Sequence, residues 1–466
     1  MQAATGSPRA RLGAPLPPGS QRRAGARTAI GVRPGWPARA LGYAGLAGVV
    51  ASVVLVAAGT AAKPGSLVPA RSGGWPHWLA GPLRGLDFSI GRGGFQTLTL
   101  LMCAAYLVAL ACSHRLGLRA IAAAVVAAHV ALLLGPPLLS QDVFGYLGYA
   151  RLGALHGLDP YTHLTAEAPA DAVFPFLGWP FKHSPYGPLF TLASYATAPL
   201  GVAAGLWAFK ALAVLCSLGA VALIARACAR VGGSPAWAAA FVGLNPVLLE
   251  LAVGGAHNDT MLMLALAAAL ALTAGASPRF RAGATALVAG VGVKVTAGLP
   301  LLFLLLGPVR PRERARVALS AGLSVAALAV LALLGFGAHA FGFLGAVGEQ
   351  QQLVAVHSIP AETARLVGLS GTPTWWRELF LGAFAAFVAG ALWRTARGAD
   401  WRVAAGWVTL ALLACTAWLL PWYAIWALPL AAVSGDRRLR AATLVFCAYA
   451  ILIHLPLAEP LLSPHR

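Results

Sequence analysis

Charge is scarce in this chain, and acidic charge scarcer still. It has 14 Asp and Glu against 34 Lys and Arg in 466 residues, with 10% charged and 59% hydrophobic residues. A soluble globular domain carries roughly a quarter charged residues, so that class is excluded. There is no Walker motif, no GxGxxG opening a helix after a strand, and no polar stretch that could form a nucleotide-binding domain, which argues against an ATP-driven pump. The six cysteines, Cys103, Cys112, Cys216, Cys228, Cys415 and Cys447, sit in or at the ends of apolar runs. They show neither a CxxC pair nor metal-ligand spacing and read as small packing residues. The short alternating strands of a β-barrel are also missing.

What remains is a succession of apolar runs from residue 39 onward, the pattern of an all-α polytopic membrane protein. The net charge of +20 does not point to nucleic acid, because the basic residues form small clusters between the runs. Arg115/Arg119, Arg226/Arg230, Arg279/Arg281, Arg310/Arg312/Arg314/Arg316, Arg394/Arg397/Arg402 and Arg437/Arg438/Arg440 follow seven arginines in the first 39 residues. This is what the positive-inside rule produces. Residues 1–38 read as a disordered basic cytoplasmic arm, and 39–466 as one multi-span domain.

With the N-terminus inside, spans are expected near 40–62, 94–112, 120–138, 205–225, 236–254, 259–276, 316–337, 376–396, 402–419, 421–434 and 441–457, with a two-helix hairpin over 282–307. The total is about 13 spans of roughly 20 residues or somewhat less. Residues 186–203, which hold Pro188 and Pro199, are placed as a juxtamembrane helix rather than a span, so that the later arginine clusters stay inside. Together with the long polar loop before them they form an outer segment, 139–203.

Within "LAVGGAHNDTMLML", His257, Asn258 and Asp259 interrupt two apolar runs. A charge in lipid is costly, so an ionisable residue there signals a use. On the expected topology the triplet is an extracytoplasmic turn and shares one face with Asp142, Lys182, Tyr186, Lys294, His357, Trp422 and Tyr423. Arg151 and His156 follow Asp142 at helical spacing, Gly157 stops that helix, Asp159-Pro160-Tyr161 turns the chain, and His183 stands beside Lys182. A single cavity explains these residues more economically than separate causes. Plainer roles compete: helix capping for Asn258 and Asp259, snorkelling for Lys294, interfacial anchoring for Lys182, His183, Trp422 and Tyr423, and a simple turn for Asp159. Glu250, inside an expected span, is expected to be buried and paired or protonated.

An outer cavity with one carboxylate at a helix end suits sugar transfer from a lipid-phosphate donor. The acceptor hydroxyl needs one base, the phosphate leaves without an acid, and positive charge or hydrogen-bond donors receive it. Aromatic rings pack against sugar faces.

The stretches "SQDVFGYLGYARL…GLDPY", "SPYGPLF", "NPVLLELAVGGAHNDTMLML" and "LLPWYAIWALPL" resemble the polyprenol-phosphate-mannose-dependent α-1,6-mannosyltransferases of actinobacteria, which have the GT-C fold. The resemblance covers most of residues 95–435, and GGxHND is its most specific part. It implies transfer of mannose from polyprenyl-phosphate-mannose to a mannan or lipomannan-type glycolipid at the extracytoplasmic side of the plasma membrane, with Asp142 as the catalytic carboxylate. His257, Asn258, Asp259, Tyr186, Lys294, Arg151, Asp159, Lys182, His183, Trp422 and Tyr423 are then the candidate substrate-binding residues. This chain reads Ser-Gln-Asp where family members often have Ser-Arg/Pro-Asp, and no second acid lies two residues from Asp142, which weakens a metal-holding acid pair. No cofactor is assigned, and a divalent cation is left open. A relative moving arabinose or glucose, and a transporter or flippase, are the alternatives; the latter would show inverted repeats, and the chain has no convincing internal repeat.

Overall fold

The computed structural model describes residues 36–62, 76–86, 88–308 and 310–454. Most of the expected basic arm, 1–38, and the chain end beyond His454 lie outside the described residues. The described residues form helices and no strand. In chain order these are α1 Trp36–Ala62, α2 His77–Ala80, α3 Arg92–Cys112, α4 Leu118–Leu134, α5 Asp142–His156, α6 Pro188–Ser194, α7 Gly201–Arg230, α8 Pro235–Gly243 and α9 Asp259–Thr273. Then come α10 Phe280–Val291, α11 Gly298–Leu306, α12 Pro311–Phe336, α13 Gly342–Gln351, α14 Ile359–Leu366, α15 Thr374–Ala396, α16 Trp401–Cys415, α17 Leu428–Val433 and α18 Arg437–His454.

One large apolar core runs through the bundle. α1 packs on α3 and α4, α7 on α8 and α9, α9 on α10, α10 on α12, and α16 on α11 and α15. Val49, Ile121, Phe241, Leu248, Met263, Phe303 and Leu428 are among its fully buried members. A second, smaller cluster lies where α5 meets the loop after it, built on Val143, Phe144, Tyr146, Leu147, Leu177 and Phe190. That cluster makes the long polar segment a folded cap. α5 ends where the sequence predicts, at Gly157, whose φ of 68° gives the left-handed closure that glycine adopts without penalty. Asp159 then makes the expected turn, its Oδ1 accepting the Tyr161 N–H at 2.9 Å.

The expected count of about 13 spans is not reached by helix length and composition. Among the described residues, five helical stretches are long and apolar enough to cross a bilayer: Pro37–Ala62, Arg92–Arg115, Pro188–Arg230, Pro311–His339 and Thr374–Ala396. A sixth is formed if α8 and the π-helix Val247–Val253, bent by 47°, count as one. The remaining apolar helices are short, including α4, α9, α10 and α16. Apolar runs and long unbroken helices differ in number because hydropathy does not register breaks in the hydrogen-bond ladder. The π turn breaks the run at 247–253, and a 3-10 turn at Pro421–Trp426 precedes α17. In the stretch Pro188–Arg230, α6 and a 3-10 turn are separated from α7 by Gly201 at φ 78°. At about 1.5 Å per residue its 43 residues would run to about 65 Å, twice a bilayer core, so a separate short leading helix is the economical arrangement. The expected hairpin is present as α10 and α11, with Lys294 between them.

Candidate active site

Asp142 is the first residue of α5. The chain reaches it from α4 through a constrained link. The Leu138 N–H donates to the Gly254 carbonyl at 2.9 Å, Leu139 has φ 64°, and the Asp142 N–H donates to Ser140 Oγ at 3.1 Å. The carboxylate Oδ2 lies 3.3 Å from His257 Nδ1. That approach is close enough for an ion pair but is not aligned as a hydrogen bond, so both ring nitrogens of His257 lack a hydrogen-bond partner among the described residues. The His257 ring is itself fixed by stacking on Trp422, centroid to centroid 3.8 Å.

The turn carrying His257, expected from sequence to be extracytoplasmic, is buried: His257, Asn258 and Asp259 are 0%, 3% and 1% exposed. A Cβ on Gly255 would meet the His257 ring at 2.6 Å, so a side chain there would displace the imidazole. Ala256 takes φ 56°; it and Leu139 are the two described non-glycine residues with positive φ. Such strain costs about 1–3 kcal/mol per residue and clusters at functional sites. Asn258 occupies the N-cap position of α9, yet its side chain makes no cap hydrogen bond. It meets Tyr146 instead: the Tyr146 hydroxyl lies 3.3 Å from Asn258 Oδ1 and accepts the Asn258 N–H at 3.2 Å.

Asp259 is likewise not a cap. Its Oδ1 accepts from Lys294 Nζ at 2.9 Å and from Trp426 Nε1 at 2.7 Å. Lys294 reaches it across the rings of Tyr423 and Trp426, with Nζ 4.4 and 5.2 Å from their centroids. Those two rings stack at 4.3 Å. Eight buried side-chain polar atoms lack a partner among the described residues, and five belong to His257, Asn258, Asp259 and Trp422. Native interiors tolerate few such atoms, so their concentration behind Asp142 singles this turn out as the candidate site.

In front of this turn lies a cavity of about 490 Å³. Six of the residues singled out in the sequence line it: Asp142, Lys182, Tyr186, Lys294, Trp422 and Tyr423. His257, Asn258 and Asp259 stand behind its wall. Sequence inspection missed Trp179 and Trp418, whose rings meet edge to face at 5.7 Å, as well as Gln350 and His454. It also missed Trp426, which holds Asp259. The only available signal for Trp426 was its spacing from Trp422 and Tyr423 in "PWYAIW". The two lysines differ. Lys294 is neutralised by Asp259, whereas the half-buried Lys182 side chain faces the cavity with no ion pair among the described residues.

Arg151, Asp159, His183 and His357 are used elsewhere. Arg151 Nε and His156 Nε2 each lie 2.8 Å from Asp171, tying the loop to α5. Burial pushes the Asp171 carboxyl up, but hydrogen bonds from Arg151, the Val173 N–H and His156 outweigh it and hold the group below the usual carboxylate range. Asp159 serves its turn and approaches His339 at 3.3 Å. His183 pairs with Glu349 at 2.8 Å and thereby docks α13, which supplies Gln350 to the cavity. His357 pairs with Glu362 at 2.8 Å, and Glu250 accepts a hydrogen bond from Thr99 at 2.8 Å. Among the described residues no group of three His, Cys, Asp or Glu side chains could hold a metal ion.

A family model described as alpha-(1->6)-mannopyranosyltransferase, N-terminal domain, matches residues 42–310, and one for the MptB C-terminal domain matches 366–464. The chain is 29% identical over 362 residues to alpha-(1->6)-mannopyranosyltransferase A of Mycobacterium tuberculosis, covering 70% of this chain and 67% of that protein. It is 31% identical over 140 residues to the protein of the same name from Corynebacterium glutamicum, covering 29% of this chain and 28% of that one. A probable alpha-(1->6)-mannopyranosyltransferase of Mycolicibacterium smegmatis is 31% identical over 143 residues, 29% of this chain and 25% of its own. No solved structure matches. The first model spans more than half of the chain and covers Asp142, the Gly-Gly-Ala-His-Asn-Asp turn and Lys294, so the chain belongs to the alpha-(1->6)-mannopyranosyltransferase family and is a membrane glycosyltransferase.

Proposed function

We propose that the enzyme moves mannose from polyprenyl-phosphate-mannose to a mannan or lipomannan-type acceptor, forming α-1,6 links at the extracytoplasmic face of the plasma membrane with inversion. The observation that carries this is the position of Asp142: a carboxylate facing a cavity of about 490 Å³, held at a helix start and accepting no aligned hydrogen bond among the described residues. Such a group is free to take a proton.

In the proposed reaction the acceptor hydroxyl oxygen attacks the anomeric carbon of the donor mannose. Its proton passes to Asp142. The bond from that carbon to the phosphate oxygen breaks, and the phosphate leaves with the electron pair. Attack opposite the leaving group converts a β-linked donor into an α-linked product. Lys182 offers uncompensated positive charge to the departing phosphate, with Lys294 as a second, already paired donor. Positioned charge of this kind is worth most where charge develops. Tyr186, Trp179, Trp418, Trp422 and Tyr423 give the cavity aromatic walls for sugar faces and for the first part of a lipid chain.

Membranes from an overexpressing host, incubated with radiolabelled polyprenyl-phosphate-mannose and short α-1,6-mannosides, test the reading. Label should appear in lengthened mannosides and disappear on digestion with an α-1,6-mannosidase. Transfer from a polyprenyl-phosphate arabinose or glucose donor, with none from the mannose donor, would replace it.

A further inference from the structure

α7 and α9 start near the active site and end far from it. Asp259 opens α9 and Thr273 closes it, and 15 residues at about 1.5 Å each put their ends about 22 Å apart. A hydrocarbon core is about 30 Å thick, so these helices end near the headgroups of the opposite leaflet. A second cavity, of about 710 Å³, opens there and is lined by Arg226, Arg230 and Arg279.

We infer that this cavity binds the phosphodiester headgroup of an anionic membrane phospholipid. Arg226 and Arg230 are four residues apart on α7 and so share a face, an arrangement of like charge that opposes the helix unless an anion is present. Among the described residues no carboxylate pairs with any of the three arginines. Among the described residues Arg230 has one protein acceptor, the Ala271 carbonyl at 2.7 Å, while Arg226 and Arg279 have no side-chain hydrogen bond. Guanidinium groups match phosphate oxygens in a two-pronged geometry. The volume exceeds that of a lone phosphate, and Leu223, Ala268 and Leu272 continue the wall with apolar surface. A phosphate that brings its own hydrocarbon satisfies both parts of this wall, and a soluble one satisfies only the arginines.

Native mass spectrometry of the full chain, released from detergent holding equal phosphatidylglycerol and phosphatidylcholine, tests the assignment without reference to catalysis. Wild-type protein should retain phosphatidylglycerol in preference. Arg226→Gln with Arg279→Gln should cut that retention by roughly tenfold or more, the loss expected for a charge-assisted contact. Arg437→Gln with Arg438→Gln removes equal charge elsewhere and should leave retention unchanged. Should the first variant fold poorly, Arg226→Lys with Arg279→Lys keeps the charge, and retention should still fall because the two-pronged contact is lost. Equal retention by the Gln variant and wild type, an equal loss in the control, or displacement of the lipid by millimolar inorganic phosphate would each overturn the site.

Discussion

Replacing Asp142 by Asn keeps the side chain's shape and removes its capacity to take a proton. The structure separates the two consequences. The side chain is 14% exposed and, among the described residues, its one ion-pair partner is His257 at 3.3 Å, so no aligned hydrogen bond is broken. The charge also sits in the first turn of α5, where the helix dipole favours it, and losing that interaction costs about 0.3–1 kcal/mol. Expression and thermal stability should therefore change little. Loss of a general base typically slows a reaction about 10²–10⁴-fold, equivalent to about 2.7–5.5 kcal/mol of barrier. The assay is the initial rate of mannosyl transfer at saturating donor, beside a thermal unfolding curve on the same preparation. Transfer within threefold of wild type would refute the role of Asp142. Asp259, the other carboxylate of this motif region, would be a poor substitute, because it is 1% exposed and already holds Lys294 and Trp426.

Lys182→Met should raise the apparent KM for the lipid-phosphate donor about 10–100-fold while leaving thermal stability unchanged, since the side chain has no partner to lose among the described residues; unaltered donor kinetics would remove it from the phosphate site. Lys294→Met strands the buried Asp259 charge and should destabilise the protein by about 3–5 kcal/mol, whereas Lys294→Met combined with Asp259→Asn should cost at least about 1 kcal/mol less than the two single changes added. Additive losses in unfolding measurements would show that the pair does not couple. Asp171 has a lowered pKa in the folded state, so its stabilising effect is present at neutral pH and is lost as pH falls through that lowered value. The stability gap between wild type and Asp171→Asn, followed by thermal unfolding from neutral to acidic pH, should shrink on acidification, and a gap that widens would contradict this.

The class of the protein and the centre of its site are legible in the sequence for one reason: polar residues in apolar runs are too costly to be accidental. That logic picks out Asp142, the His257–Asp259 triplet and Lys294, and the fold brings them to one place. It says nothing about which charge meets which. Lys294 and Asp259 are 35 positions apart, and Trp426 is 167 from Asp259. Their contact follows from the packing of α9 against the 3-10 turn at Pro421–Trp426 and from the hairpin tip, which no local window reports. Proximity in the chain to Asp142 and Lys182 makes Arg151, Asp159 and His183 candidates for the site. In space their partners are Asp171, His339 and Glu349. Runs of hydropathy and unbroken helices part company for a related reason. Hydropathy measures what a run prefers to touch, while breaks such as the π turn at 247–253 depend on backbone hydrogen bonding within a buried segment.

The pairing pattern also sorts the charged residues by role. Two lysines line the cavity, and two carboxylates lie at or just behind its wall. One of each, Lys294 and Asp259, is joined at 2.9 Å and braced by Tyr423 and Trp426, so their charges are largely spent on holding the α10–α11 tip against α9. Removing either partner leaves a buried charge exposed to the full cost of its desolvation. Asp142 and Lys182 carry no such obligation: the first has a loose approach to His257, and the second has no ion pair among the described residues. A base must exchange a proton and a phosphate ligand must release its product, and both tasks are hindered by a strong internal partner. The two charged groups that folding leaves uncommitted at the cavity, among the described residues, are therefore the ones best suited to the proposed chemistry, which sets Asp142 on the acceptor hydroxyl and Lys182 on the departing phosphate.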